Sequence, residues 1–132
     1  MDSKLKHLEF IQGTINRLAT NSFLLKGWSV VLVSALFALA AGGANVTFVY
    51  LAYIPAIVFW GLDGYFLALE RSYRGHYARV RAMKEEQIDF SMNCGYLPSG
   101  FNAWAQATVS MTIIAFHGAI VGAILLVMLV QR

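Results

Sequence analysis

Charge is scarce in this 132-residue chain: Asp, Glu, Lys and Arg make up 13% of it, against 58% hydrophobic residues. A soluble domain is nearer a quarter charged and half apolar, so an ordinary soluble fold is excluded for want of polar surface. Cysteine occurs once, as Cys94, which excludes an internal disulfide and gives no firm reading of the redox compartment. There is no Walker loop, nucleophile elbow, HExxH or paired CxxC, and no internal repeat. His7, His76 and His117 are expected at three different depths, too far apart to share a metal. The expectation is a non-enzyme without a cofactor. A dense basic patch with interleaved aromatics is also missing, so nucleic acid is not an expected partner.

What the chain has in quantity is long apolar runs. Gly27 to Gly43, Val46 to Leu69 and Ala103 to Val130 each approach or exceed the roughly 20 residues that a helix needs to cross a bilayer core. The longest stretch between them is about 30 residues, well short of the 100 or so typical of a separate catalytic domain. The expected fold is an all-α integral membrane protein forming one domain over 1–132. It has an amphipathic cytoplasmic helix (1–26), three transmembrane helices (27–43, 46–69 and 103–130), and a cytoplasmic stalk and loop (70–102) that extends the second.

Positive charge sets the orientation. Lys4, Lys6, Arg17 and Lys26 precede the first run, Arg71, Arg74, Arg79, Arg81 and Lys84 follow the second, and only Arg132 lies elsewhere. The positive-inside rule then puts the N-terminus in the cytoplasm and the C-terminus outside. Lys26, the apolar stretch after it and Ala38-Leu39-Ala40 imitate a signal peptide, but the long, patterned leading segment favours a retained span. Asn45-Val46-Thr47 matches a glycosylation sequon, which abuts the membrane and carries no meaning in a bacterial chain.

Leu5, Leu8, Ile11, Ile15 and Leu18 recur at helical spacing and make one stripe, behind a plausible N-cap at Ser3. That stripe fits either the inner membrane interface or, better, another helix, because the opposite face is only weakly basic. In the second run Pro55 should kink the helix. The third, at about 40 Å, should tilt or protrude. Trp28 and Trp104 are expected interfacial anchors, and Asn93-Cys94-Gly95 with Pro98-Ser99-Gly100 mark the returning loop.

Polar groups inside the runs are the candidate sites. Asp63 is costly there and reads either as an ion, proton or pore-lining carboxylate or as an anchor bonded to Lys26, Arg17, Trp28 or a Tyr. His117, with Ser110 on its side of the helix, reads as a pore-lining or pH-sensing group, a ring in an oligomer, or an interhelical hydrogen bond. Ser34, Ala38 and Gly42 form a small-residue row, and Gly118 and Gly122 another, both suited to close helix approach and to a homo-oligomer. Arg71, Arg74, Arg79 and Arg81 read as a topology signal contacting membrane lipids, or as a site for a cytosolic protein or small anionic signal.

Several stretches carry a resemblance: Phe10-Ile11-Gln12, Asn21-Ser22-Phe23-Leu24-Leu25-Lys26-Gly27-Trp28, Phe59-Trp60-Gly61-Leu62-Asp63-Gly64-Tyr65-Phe66-Leu67, Glu70-Arg71-Ser72-Tyr73-Arg74 and Ile88-Asp89-Phe90-Ser91-Met92-Asn93. Across most of its length the chain resembles a widespread family of small, largely uncharacterised bacterial multi-span inner-membrane proteins. In layout alone it is also similar to the small membrane effectors of antiphage defence systems, which implies permeabilisation of the inner membrane on a cytosolic signal. The resemblance carries over no catalytic residues. The expected function is therefore a homo-oligomeric gated pore; the alternatives are a membrane anchor or regulatory subunit for a cytosolic partner, and a small proton-coupled transporter using Asp63.

Overall fold

The computed structural model describes residues 2–41, 46–93 and 100–130. Among them the regular structure is entirely helical: α1 (Asp2–Ala41), α2 (Thr47–Leu51), α3 (Tyr53–Ala82), a 3-10 turn at Glu85–Gln87, α4 (Phe101–Thr108) and α5 (Met111–Val130). Three helices, Asp2–Ala41, the joined Thr47–Ala82 and Met111–Val130, are long and apolar enough to cross a membrane.

The N-terminal stripe and the first apolar run are one helix. No proline interrupts α1, and its 40 residues rise about 60 Å without a break near residue 26. Its polar half lies antiparallel against the end of α3, so the stripe is covered by the chain itself. Leu8, Ile11 and Ile15 are buried with Val80 and Ile88, and Tyr73 and Tyr77 close the sides. Leu5 at the stripe's start stays exposed. Lys4 fastens the far end: its Nζ donates to the carbonyls of Arg81 (2.9 Å) and Met83 (2.7 Å), satisfying acceptors that the terminus of α3 leaves without helical donors. At the apolar end a second cluster joins Val33, Ala40, Val49, Ala52, Ala56 and Ile124, and the Tyr53 hydroxyl reaches Met128 Sδ at 3.9 Å.

Two interruptions have local causes. α2 and α3 are parted only at Ala52, which keeps helical dihedrals and its bond to Phe48 O, one turn ahead of Pro55, whose missing N–H leaves the carbonyl four residues back without its helical donor. The third apolar run is also not one long helix. It breaks at Val109 and Ser110 because its carbonyls are diverted: Ser110 N and Oγ both donate to Ala107 O (3.1 and 2.7 Å), while Trp60 Nε1 takes Thr108 O (3.0 Å). The expected span of 103–130 becomes an eight-residue helix packed on α3 followed by a 20-residue helix about 30 Å long.

A tight seat holds α4 in place. Trp104 Nε1 donates to Gly61 O (2.9 Å), and Thr108 lies on Gly64. A Cβ added at Gly64 would stand 3.1 Å from Thr108 Cβ and 3.2 Å from its Cα, with Oγ1 closer still, so only glycine fits this crossing without displacement.

Candidate functional site

α1, α3 and α5 converge on one carboxylate. Lys26 Nζ lies 2.6 Å from Asp63 Oδ2, and His117 Nε2 lies 2.8 Å from the same oxygen. Ser22 Oγ donates to Asp63 Oδ1 and accepts from Lys26 Nζ at 2.9 Å. Asp63 and His117 are fully buried, and Lys26 retains a quarter of its side-chain surface. Ser22 and Lys26 stand one turn apart on α1, so one helix face supplies both partners.

A carboxylate only accepts, so the nitrogen of His117 that faces it carries a proton. His117 Nδ1 is buried without a partner. Aromatic rings wall the site: Trp60 stacks on His117 with centroids 6.0 Å apart and planes 10° apart, Phe116 meets it edge-on, and Lys26 lies 5.9 Å from the Phe116 centroid.

The other expected site residues lie elsewhere. Ser110 is not beside His117's ring contacts; it closes the α4–α5 break on Ala107 O. Ser34 and Ala38 face outward, and a Cβ at Gly118 or Gly122 would meet open space, so these four residues leave room on their helix faces for another helix. Gly42 lies outside the described residues. Arg71, Arg74, Arg79 and Arg81 are all exposed, with Arg74 paired to Glu70 one turn back at 2.8 Å.

One expectation is corrected outright. His7 and His76 are not at different depths: their ring centroids are 5.9 Å apart, edge to face, and Phe90 packs on His7 at 5.4 Å. α1 and α3 pack along each other in opposite directions, which sets His7 beside His76 near one end as it sets Lys26 beside Asp63 further along. His76 Nε2 donates to Ser91 O (2.8 Å), while His7 Nε2 is buried without a partner. Burial, and then the charge of His76, hold the His7 pKa below its ordinary value against an opposing pull from Asp89. Among the described residues no group of three or more His, Cys, Asp or Glu is placed to hold a metal. Sequence reading also missed Ser22, whose place one turn before Lys26 was the available signal.

Comparison of the chain with protein-family models, curated proteins and solved structures found no match.

Proposed function

We propose that this chain is a multi-pass protein of the bacterial inner membrane that self-associates into a gated, ion-permeating assembly, with the Lys26, Asp63 and His117 cluster as the lock of its closed state. The observation that carries the reading is the cluster itself. An ion pair inside helices of this hydropathy is expensive, and ionisable groups in such places are functional by default. A plain anchor has no need of it.

The arrangement supports a closed resting state. Turned into one another, these three side chains offer no hydrated path, so conduction requires their separation. Because Asp63 and His117 are both fully buried within one chain, a ring of His117 around an oligomer axis belongs to an open state. The outward rows at Ser34 and Ala38 and at Gly118 and Gly122 support assembly between copies. Exposed Ile54, Ile57, Leu126 and Leu129 suit lipid contact. The charged halves of α1 and α3 lie side by side, which supports a single cytoplasmic face and a C-terminus outside.

A second reading has its own observation. Leu5, Phe10 and Phe90 are exposed at the polar end of the hairpin, where lipid would not cover them, and such a surface suits an anchor for a cytosolic partner. The discriminating experiment is membrane potential, read by a voltage-sensitive dye in bacteria expressing the wild type, Asp63→Asn or His117→Ala. The lock predicts full potential for the wild type at rest and depolarisation by the variants. Full potential in all three, with a co-purifying cytosolic protein, would favour the anchor.

A further inference from the structure

Beyond the last turn of α3 the chain folds back and lines a partly open polar cavity of about 190 Å³. Arg79 and His76 of α3 form one wall, and Gln87, Asp89, Ser91 and Asn93 of the returning segment form the other. At ~30 Å³ per water the space holds about six waters, which is the size of a small metabolite and too little for a drug-sized ligand.

The wall chemistry is specific. It offers one guanidinium, one imidazole, one carboxylate, two amides and a hydroxyl beside apolar Val80, Met83 and Ile88. Arg79 has five N–H donors in a fork that matches a carboxylate, so it can serve one alongside other partners. Asp89 accepts from Ser91 N through Oδ1 at 3.0 Å, an Asx-type turn that fixes the carboxylate in the wall. An anion alone would be drawn to Arg79 and repelled by Asp89; a cation alone would meet the reverse. A molecule carrying both charges satisfies both.

The backbone points the same way. Phe90, between Asp89 and Ser91, holds a left-handed conformation at φ 59° that a residue with a side chain seldom adopts. Such strain is kept at ligand clamps, where the surroundings over-determine it. Here Asp89 and Ser91 line the cavity while the Phe90 ring packs on His7 of α1.

We propose that this cavity is a receptor site for a small zwitterion of the α-amino acid type, its carboxylate taken by Arg79 and its ammonium by Asp89. His76 makes the site consequential. It forms part of the wall, and its ring meets His7, so a ligand that shifts the returning segment or His76 acts on α1, the helix that supplies Ser22 and Lys26 to the buried cluster. That consequence rests on the proposed gate; the binding does not.

The test is calorimetric titration of the purified full chain in lipid nanodiscs with each of the twenty L-amino acids, and with inorganic phosphate as the anionic control. The expected result is saturable binding of at least one amino acid. Arg79→Lys, which replaces the donor fork by a point charge, and Asp89→Asn, which removes the carboxylate charge, should each weaken it tenfold or more. Met83→Trp, which fills the cavity, should abolish it, with helical circular dichroism and elution volume unchanged in all three. Absence of binding by all twenty, or binding indifferent to Met83→Trp, would overturn the proposal. So would phosphate binding that Asp89→Asn strengthens, since that describes an anion site. Binding without ion flux would remove the gate and leave the receptor; flux without binding would do the opposite.

Discussion

Replacing Asp63 by Asn isolates what the buried cluster contributes. The substitution keeps the shape, removes the charge, and leaves the Lys26 ammonium facing an amide among apolar helices. Opposite charges about 4 Å apart attract by roughly 4 kcal/mol at an effective dielectric of 20, and stranding one member of a buried pair costs about 3 to 5 kcal/mol. Lys26 keeps 24% of its side-chain surface, so its ammonium can retreat towards water and recover part of that cost. The expected loss is therefore about 2 to 3 kcal/mol. Lys26→Met strands the carboxylate instead and should cost as much or more, because Asp63 has no exposed surface through which to escape. The double variant removes both charges and should cost at least about 1 kcal/mol less than the two single losses together. Reversible unfolding in bicelles or mixed micelles, followed by circular dichroism, measures all three. A loss below about 0.5 kcal/mol for Asp63→Asn, or strict additivity in the cycle, would refute the claim that these charges are coupled inside the protein.

Three further outcomes follow from the geometry. Gly64→Ala should destabilise by about 1 to 3 kcal/mol by pushing its new Cβ into Thr108, whereas Gly118→Ala, which meets open space, should be neutral or mildly stabilising in the same unfolding assay. Since burial and His76 depress the His7 pKa, the unfolded chain takes up the proton first; the hairpin's polar end is most stable above the ordinary histidine value of about 6.5 and weakens as pH falls through it. Protection factors of the amides of residues 2–18, taken relative to the intrinsic exchange rate at each pH, should fall from pH 8 to 5, and His7→Gln should flatten that dependence. Gly118→Leu or Gly122→Leu should shrink the oligomer seen by light scattering without unfolding the chain, and an unchanged mass would remove that face from the assembly.

The three apolar runs and the charge asymmetry were legible because hydropathy and charge are local properties. Pro55 marked its interruption for the same reason. The break at Val109 and Ser110 was not legible: Ser110 alone is tolerated inside helices, and the decisive contact is Trp60 Nε1 on Thr108 O, 48 positions away. Asp63 and His117 were each singled out by their cost in an apolar setting, but their bond spans 54 positions, and no local pattern brings α5 to α3. The meeting of His7 with His76 was lost by dividing α1 into a peripheral helix and a span. Reading residues 2–41 as one helix, antiparallel to the stalk, would have aligned the two rings.

Potassium release from proteoliposomes of the purified chain tests the central claim most directly, with wild type and Asp63→Asn reconstituted at equal density in vesicles of bacterial lipid. The lock predicts that the wild type is nearly as tight as protein-free vesicles and that Asp63→Asn leaks on the order of tenfold faster, the ratio for about 1.4 kcal/mol of lost bias towards the closed state. Equal tightness of both proteins, with the variant folded and inserted, would contradict it.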